Sequence, residues 1–345
     1  MTKFLSCTTA LVSLLSVGSL EAAEKIKLNV GGYLHTSFVA ADYDSGDRLP
    51  TNLRNEGEIH FTGSTILDNG VKFGVNIQLE ARESSDQVDE TFMFVESAYG
   101  RVNVGSENSA AYLMHYAPPE PVAAWGLNDP TFKASGFTTP STYPLEVSDA
   151  DKITYFSPRL SGFQFGASYT PDADWQTGTG SGPYDPILTE GEKDEAYSIA
   201  VNYANSFNGV SVKTSAGYDI IMSSTRDDIE ETSLALRLGY GGFSAGGAYR
   251  FAENGGGTDG LERHEMLFGA TYTYGPWTAG AQYSHIELDE VGDGTLDALL
   301  LGGTVVLGPG VSAYSGIQFY TGDDDLEGSE GEDATIFFIG TSLSF

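Results

Sequence analysis

The sequence is poor in cysteine and in basic residues, and each shortage excludes a class of protein. Cys7 is the only cysteine among 345 residues, so no disulfide framework within the chain stabilises the fold. Lys and Arg number 17 against 48 Asp and Glu, for a formal net charge of −31. Because the phosphates of nucleic acids require basic partners, this balance argues against a nucleic-acid partner.

Long hydrophobic runs are also missing, apart from one near the N-terminus. Lys3 precedes a mostly apolar stretch, residues 4–20, which Ala22 and Ala23 follow. This stretch is too short for a membrane anchor, and no other segment reaches the roughly 18 apolar residues that a spanning helix requires. A basic residue, an apolar core and small residues are typical of a secretory signal. Residues 1–23 are therefore predicted to be a signal peptide that is cleaved during export.

The chain is rich in glycine and aromatic residues, which occur in alternating patterns. It contains 43 Gly, 19 Tyr and 19 Phe, a composition that favours short strands and tight turns. Near the C-terminus, the apolar residues Phe337, Ile339, Leu343 and Phe345 share one face of a period-2 pattern. A strand with such a face would aggregate at the edge of a soluble protein, but it suits the outside of a barrel in lipid.

The same alternation predicts about sixteen strands. In residues 71–82, for example, Ile77 and Leu79 alternate with Asn76 and Gln78, whereas a helix would scatter these polar residues around its axis. An even number of strands is what closure of an antiparallel barrel requires. The predicted strands are residues 26–41, 56–68, 71–83, 91–99, 101–106, 151–157, 163–170, 195–206, 209–221, 231–240, 243–251, 264–274, 277–287, 297–307, 311–320 and 334–345.

Two kinds of connection alternate between the strands. Short turns such as Asn208-Gly209 and Gly241-Gly242 alternate with long, polar, acidic connections, as in an up-and-down membrane barrel. A soluble β-sandwich also has alternating strands, but here the second face carries Lys213 and Arg237, among other charges. That face is too polar for a packed interior. Residues 24–345 are therefore predicted to form an all-β, transmembrane, antiparallel up-and-down barrel with a water-filled lumen.

One connection, residues 106–150, is much longer than the others. It is rich in proline and aromatic residues, and a connection of this length without regular structure is usually functional. One interpretation is a flap outside the barrel. The other is a loop folded into the lumen, where it narrows the channel.

Several short motifs in this order resemble the general porins of Gram-negative outer membranes. They are Gly70-Val-Lys-Phe-Gly74, Gly100-Arg-Val-Asn-Val-Gly105, Lys152-Ile-Thr-Tyr-Phe-Ser-Pro158, Gly162-Phe-Gln-Phe-Gly166 and the C-terminal phenylalanine. The resemblance spans the mature chain. It implies a trimeric barrel of sixteen strands in the outer membrane, with the third external loop folded inside as a constriction.

The resemblance also implies partners. They are outer-membrane lipid and lipopolysaccharide, two further copies of the chain, and the barrel-assembly machinery, which would read Phe345 as its signal. One departure concerns the constriction. Porins of this family often carry a dense cluster of arginine and lysine there, and this chain has only 17 basic residues in all.

Charged side chains on the first strands and on the long connection are the predicted pore constriction. The wall candidates are His35, Arg54, Glu58, His60, Glu80 and Arg82, with His35 and His60 able to face each other. The candidates on the long connection are Glu107, Glu120, Asp129 and Glu146. Opposite charges across a narrow water path create a transverse field that orders water and favours polar solutes. The alternative is that these residues line the lumen away from its narrowest point.

Acidic residues also cluster in the long connections. The group Asp323, Asp324, Asp325 and Glu327 nearly fits a calcium-binding loop, but Ala334 occupies the position where such a loop has glutamate. The simplest interpretation is a solvated acidic rim. The functional alternative is a set of divalent cations, such as Ca²⁺, that bridge loops to each other or to lipopolysaccharide.

No motif for covalent chemistry has the context that it requires. Gly242, Ser244 and Gly246 fit the nucleophile elbow G-x-S-x-G, but a strand follows them where the elbow needs a helix. No histidine pair has metal-binding spacing. The sequence therefore predicts a porin for passive diffusion of small hydrophilic solutes, without cofactor and with moderate cation selectivity. The alternatives are a substrate-selective channel and an outer-membrane barrel hydrolase.

Overall fold

The computed structural model describes residues 25–44, 49–81, 87–134, 136–173, 193–289, 294–323 and 333–345. Within these ranges the chain forms the expected sixteen strands. They are β1 Lys27–Tyr43, β2 Thr51–Ile66, β3 Lys72–Glu80, β4 Val88–Ser97, β5 Gly100–Ser106, β6 Asp151–Phe156, β7 Phe163–Thr170, β8 Lys193–Phe207, β9 Val210–Ser223, β10 Ile229–Tyr240, β11 Phe243–Glu253, β12 Glu262–Tyr274, β13 Trp277–Asp289, β14 Gly294–Gly308, β15 Val311–Gly322 and β16 Asp333–Ser344. The predicted signal peptide lies outside the described residues.

Helical structure is minor. A four-residue helix, α1 Ala110–Leu113, follows β5, and a 3₁₀ turn spans Gly255–Gly257. Among the described residues, no helix has the length and apolar character needed to cross a bilayer.

The sixteen strands form one closed barrel in which each strand pairs with its neighbours in sequence. The first and last strands complete the ring as an antiparallel pair, with Tyr33 opposite Ser344 and Tyr43 opposite Ala334. Closure leaves no free edge, so every strand has hydrogen-bonded neighbours on both sides. The predicted all-β, antiparallel up-and-down barrel is confirmed.

Each strand has an exposed face and a more buried face, as the period-2 pattern predicts. On β16, Phe337 and Ile339 are 44% and 52% exposed, whereas Ile336 and Phe338 are 1% and 0% exposed. The exposed faces of the other strands are likewise largely apolar, with residues such as Leu236 and Leu301. We call the exposed face of each strand the outer face and the more buried face the inner face. An exposed apolar band around a closed barrel is the surface that lipid covers.

Tight turns join the strands at one end of the barrel. Asn208 and Gly209 both have positive φ, at 50° and 85°, and so do Gly241 and Gly242, at 55° and 91°. Two successive residues in this region form the hairpin turn whose twist matches that of the flanking strands, which explains the choice of Asn and Gly. The long connections, among them residues 107–150 between β5 and β6, lie at the other end.

The inner face is not polar throughout, contrary to the sequence-based expectation. On β13 to β16 it carries Ile286, Leu296, Leu300, Ile336 and Phe338, all of them fully buried. These residues form a hydrophobic core with the long connection. Burial of each large apolar side chain stabilises the fold by about 1.5–3 kcal/mol. The barrel interior beside these strands is therefore packed rather than water-filled. The expectation failed because the long connection supplies apolar partners from a distant part of the chain.

The apolar partners on the long connection are Val122, Trp125, Leu127 and Phe132. The Trp125 ring stacks on the Phe338 ring, with the ring centroids 4.7 Å apart and the planes 7° apart. Trp125 is also held through its polar edge, because Nε1 donates a hydrogen bond of 2.9 Å to Ser37 Oγ on β1. A buried tryptophan with a satisfied N–H fixes both the position and the orientation of the connection at this point.

Candidate functional site

The long connection, residues 107–150, contacts the inner faces of strands on opposite sides of the ring. Ser109 Oγ donates to Asp219 Oδ2 on β9 at 2.8 Å, and Leu127 N donates to Gln282 Oε1 on β13 at 2.8 Å. On β15, Gln318 Nε2 donates to the Trp125 carbonyl at 2.7 Å. Because these groups are buried, each unmade bond would leave a costly unpaired polar atom. The inner wall therefore determines the path of the connection.

The first turn of the connection is capped by strand hydroxyls. The amides of Ala110 and Ala111 donate to Ser168 Oγ on β7 and Ser198 Oγ on β8, at 2.8 and 2.9 Å. These are N–H groups that a helix start leaves without a partner inside the helix. On β9, a Cβ at Gly217 would lie 2.7 Å from the Ala111 Cβ, so glycine is needed for the close approach.

A buried ion cluster holds the second half of the connection. On β11, Arg250 lies 2.9 Å from a Glu231 oxygen of β10 and 2.5 Å from a Glu265 oxygen of β12. The two carboxylates also accept backbone N–H groups from the connection. Glu231 accepts those of Leu145 and Glu146 at 3.2 and 2.8 Å, and Glu265 accepts that of Ser141 at 3.2 Å. A buried charge is tolerated only where partners surround it, so three strands and the connection depend on each other here.

Glu146, predicted as a constriction residue, is itself part of an anchor. Its carboxylate lies 2.9 Å from Lys193 Nζ on β8 and accepts the Gly256 amide at 3.0 Å. Burial alone would raise its pKa, but the ion pair with Lys193 and the backbone hydrogen bond lower it. Glu146 therefore stays ionised and ties the connection to the rim.

Glu107, also predicted for the constriction, is buried at the start of the connection. Asn103 Nδ2 donates to its carboxylate at 2.5 Å, and Lys152 Nζ donates to its backbone carbonyl. Burial raises the pKa of Glu107, while the Asn103 hydrogen bond and the charges of Arg101 and Lys152 oppose the rise.

On the wall formed by β2 and β3, the structure brings together three of the predicted constriction residues, Glu58, His60 and Glu80. Glu58 lies opposite Glu80 in the register of β2 and β3, and His60 Nε2 lies 2.6 Å from Glu58 Oε2. Tyr33 donates to the other Glu58 oxygen at 2.7 Å. Carboxylate oxygens of Glu58, Glu80 and Asp89 lie within 4.8 Å of one another, a set that can hold a cation.

The remaining wall candidates are separated from this cluster or lie outside the described residues. The suggestion that His35 and His60 face each other was wrong: His35 lies opposite Glu56, and His60 lies opposite Gly31. Period 2 gives the face of a strand but not the register of the pair. The Arg54 guanidinium lies 5.7 Å from the centre of the Phe132 ring, against the long connection. Arg82 lies outside the described residues.

Glu120 lines a cavity of about 570 Å³ between the long connection and β9, β10, β13 and β14. Its carboxylate lies over Gly126, where a Cβ would approach within 2.7 Å. Burial raises the pKa of Glu120 to about 7, and Asp129 adds to the rise, whereas Arg237 and a hydrogen bond from Gln282 oppose it. Tyr112 donates to Asp129 at 3.4 Å, which places Asp129 beside the same part of the connection.

The bases across this cavity from Glu120 are Lys213 on β9 and Arg237 on β10, which were not among the predicted site residues. They lie directly opposite each other in the strand register, on the inner face. The alternation did place them on the polar face, but only the fold of the long connection brings Glu120 to the same cavity. A second cavity of about 680 Å³, lined by Glu96, Arg101 and Arg159 among others, shares Tyr116 with the first.

Two further predicted features lie near the barrel ends. Phe345 pairs with Gly32 through two backbone hydrogen bonds of 3.0 and 3.1 Å, and its ring is 69% exposed. Of the proposed calcium-binding loop, Asp323 accepts a hydrogen bond from Thr295 Oγ1 at 2.8 Å. Asp324, Asp325 and Glu327 lie outside the described residues.

A second group with possible metal ligands lies on the outer face near the rim. It consists of Glu262, His264 and Asp289, whose ligand atoms lie within 4.8 Å of one another. Spacing along the sequence did not predict this group, because the strand register places Asp289 of β13 opposite Glu262 of β12.

Comparisons with known proteins agree with the barrel. The anion-selective porin from Comamonas acidovorans has a TM-score of 0.65 and 14% identity, over 93% of this chain and 100% of that one. The trimer form of OmpT from Vibrio cholerae has a TM-score of 0.63 and 13% identity, also over 93% and 100%. An uncharacterized protein from Rickettsia bellii is 23% identical over 265 residues, which are 63% of this chain and 58% of that protein.

At these identities the solved structures support the fold alone. The family assignment comes from a model of the Gram-negative porins, which matches residues 8–325. This match agrees with the resemblance that the sequence motifs suggest and with the closed ring of sixteen strands. The chain belongs to the Gram-negative porin family.

Proposed function

We propose that this porin forms a water-filled channel for passive diffusion of small hydrophilic solutes and ions, and that the long connection lies in its lumen and narrows it. One observation carries this proposal. The connection bonds to the inner faces of β1, β9, β13 and β15, which lie on different sides of a closed ring. A chain segment reaches all of these faces only from inside the ring. The cavities beside it, of about 570 and 680 Å³, carry charged side chains of both signs.

We further propose that the channel is moderately cation-selective. The formal net charge is −31, and many acidic residues lie in the long connections. In addition, the inner faces of β2 and β4 carry Glu58 and Glu96. Exposed charges act over roughly 10 Å at 0.1 M salt, so these carboxylates enrich cations in the channel mouth. The similar porin from Comamonas acidovorans is anion-selective, but a fold match at 14% identity carries no information on local charge.

The proposed setting is the outer membrane of a Gram-negative bacterium, reached after cleavage of residues 1–23. Lipid covers the exposed apolar band, and lipopolysaccharide contacts the acidic rim, with divalent cations such as Ca²⁺ as bridges. Phe345 is the proposed signal for the barrel-assembly machinery. A homotrimer is the proposed assembly, since the similar OmpT of Vibrio cholerae has a trimer form.

A hydrolase is less consistent with the side-chain contacts. Ser244, the serine of the G-x-S-x-G motif, accepts a hydrogen bond of 3.0 Å from Arg237 Nε and lies at the start of β11. The hydrogen bonds found for histidines in the described part of the chain go to Glu58, Thr142, Tyr249 and Asp297, none of which is a nucleophile with an assisting base.

Deletion within the long connection tests the channel and the constriction together. A linker in place of residues 123–139 should raise single-channel conductance in a planar bilayer. It should also allow larger sugars to enter proteoliposomes. The physical reason is that the deleted part includes Trp125, Leu127 and Phe132, which pack against inner-face residues of β13 to β16. As a matched control, removal of residues 224–227 from the connection between β9 and β10 should leave the size limit unchanged. An unchanged limit in a correctly assembled 123–139 deletion would favour an external flap.

A further inference from the structure

The outer face carries a row of carboxylates where β11, β12 and β13 reach the end of the barrel with the long connections. Glu253, Glu262 and Asp289 lie directly opposite one another in the strand register. Glu262 therefore has an acidic cross-strand neighbour on each side, and like charges in such pairs are unfavourable. Within the described ranges, the ion pairs found for Glu262 and Asp289 are to His264. Among these residues, neither carboxylate is compensated by a lysine or an arginine.

His264, two residues further along β12, provides a nitrogen ligand beside these carboxylates. Its Nε2 atom lies 3.7 Å from Glu262 Oε2 and 3.9 Å from Asp289 Oδ2, and both separations are too long for a hydrogen bond. Ligand atoms in a tetrahedral zinc site are roughly 3.3–3.6 Å apart, because each bond to the metal is about 2.0–2.2 Å long. The three ligand atoms lie within 4.8 Å of one another, so small side-chain rotations bring them around one ion.

The neighbouring strand β11 holds the imidazole ring of His264 in this position. Tyr249 Oη lies 2.7 Å from His264 Nδ1, at hydrogen-bond distance. The Phe251 ring packs against the imidazole, with the ring centroids 4.8 Å apart. Histidines that bind metals almost always form a hydrogen bond through their second ring nitrogen, which fixes the ring and its tautomer. When Nδ1–H donates to the Tyr249 oxygen, the Nε2 lone pair is available to a metal ion.

The ligand types favour zinc over calcium or magnesium. Ca²⁺ and Mg²⁺ prefer oxygen ligands, whereas one imidazole and two carboxylates suit Zn²⁺. The acidic group on the inner wall, Glu58, Glu80 and Asp89, offers three oxygen ligands and no nitrogen. On the outer face, Glu287 lies directly opposite His264 and adds negative charge that attracts a cation.

We propose that Glu262, His264 and Asp289 form a binding site for a divalent transition-metal ion, with Zn²⁺ as the ion that fits the three ligands best. The ion joins β12 to β13 at the rim and relieves the repulsion between the two carboxylates. Tyr249 acts as a positioning residue, since it contacts the ligand and not the metal. The site lies on the outer face, away from the lumen, so it does not depend on the proposed channel function.

The test measures the affinity of the untagged, folded barrel for Zn²⁺ in detergent, by competition with a fluorescent zinc indicator in buffer without phosphate. The wild type should bind Zn²⁺, and an excess of Ca²⁺ should not displace it. Tyr249→Phe should weaken binding by about 10–100-fold, the range for residues that orient a metal ligand, and His264→Gln, which removes a ligand itself, by more. His285→Gln is the matched control and should leave the affinity unchanged. This outer-face histidine has its Nδ1 atom 2.9 Å from Asp297 Oδ1 and lies outside the proposed site.

The outcomes decide between a zinc site and an ordinary acidic surface. Unchanged affinity in a folded His264→Gln variant would overturn the site, and so would a loss of binding in His285→Gln alone. Displacement of Zn²⁺ by Ca²⁺ at equal concentration would show a surface without zinc preference and contradict the assignment. Asp289→Asn is a second variant at the site and should also weaken binding, so the test does not depend on the folding of one variant. A barrel that binds Zn²⁺ but conducts no ions would contradict the channel and leave the metal site in place.

Discussion

Removal of Arg250 should release the second half of the long connection from the barrel wall. Arg250 lies between Glu231 and Glu265, at 2.9 and 2.5 Å, and all three side chains are buried. The two carboxylates in turn hold the backbone of Ser141, Leu145 and Glu146. In the variant Arg250→Met, both carboxylates lose this cation. Glu265 keeps an ion pair of 2.6 Å with Arg263, whereas Glu231 has no other ion pair with a base among the described residues.

The magnitude follows from the cost of a buried charge without its partner. Loss of one member of a buried ion pair costs about 3–5 kcal/mol. The connection avoids part of this cost by detaching, because water then reaches the carboxylates. Since roughly 1.4 kcal/mol corresponds to a factor of ten, the detached state should gain about two orders of magnitude or more in population.

Single-channel recording detects the detached state. We expect Arg250→Met to show frequent transitions to levels of higher conductance, which are rare in the wild type. Arg237→Met is the matched control, since this arginine lies on the inner face of the neighbouring strand and forms no ion pair with a carboxylate among the described residues. It should change selectivity but add no such transitions.

A rescue variant distinguishes detachment of the long connection from simple misfolding of the barrel. Replacement of Glu231 by glutamine, together with Arg250→Met, removes the unpaired charge but keeps a group that accepts hydrogen bonds, and Glu265 keeps its ion pair with Arg263. This double variant should assemble and show fewer transitions than Arg250→Met alone. If Arg250→Met gives current records indistinguishable from the wild type, the ion cluster does not anchor the connection.

Three further predictions test the outer face, the C-terminus and the titration of the cavity. Ile77→Arg places a charge on the lipid-facing side of β3, at a cost of roughly 2–4 kcal/mol near mid-depth, and should reduce the folded barrel in heat-modifiability gels. Gln78→Arg, on the inner face, should assemble and change conductance; equal tolerance would contradict the register. Deletion of Phe345 should lower the amount of assembled barrel in outer-membrane fractions, and normal levels would contradict a role in assembly. Because the pKa of Glu120 is about 7, cation selectivity should rise as its carboxyl ionises between about pH 6 and 8. Reversal potentials should show a smaller step in Glu120→Gln than in the wild type.

The barrel was predictable because its determinants are local. A strand such as β16 carries its orientation in the alternation of single residues, and turns such as Asn208-Gly209 mark where each hairpin ends. The strand count follows from these signals without any knowledge of distant contacts. The packing of the inner face of β16 did not follow, because Phe338 is buried by Trp125, more than two hundred positions away in the chain.

The candidate site was predictable only in part, for the same reason. Alternation places Glu58, His60 and Glu80 on one face, and the structure brings them together. Alternation does not give the register between neighbouring strands, and the register of β1 and β2 separates His35 from His60.

The path of the long connection also could not be predicted from the sequence. Glu107 and Glu146 are charged residues on a connection expected to meet water, yet the fold uses them as anchors to the wall. Conversely, Lys213 and Arg237 became candidates only when the connection brought Glu120 to their cavity. The composition of a loop indicates which chemistry is present, whereas its contacts decide which residues face the solute.

Recording of single channels in a planar bilayer with a KCl gradient tests the central claim most directly. The account predicts discrete current steps from the folded barrel. It also predicts a reversal potential at which the dilute side is positive, because K⁺ passes more readily than Cl⁻. This potential should shrink, at a constant concentration ratio, as total salt rises and the Debye length falls. A correctly folded barrel without current steps would contradict the channel. A reversal potential of the opposite sign would contradict the proposed cation selectivity and show that the bases on the inner wall outweigh the acidic rim.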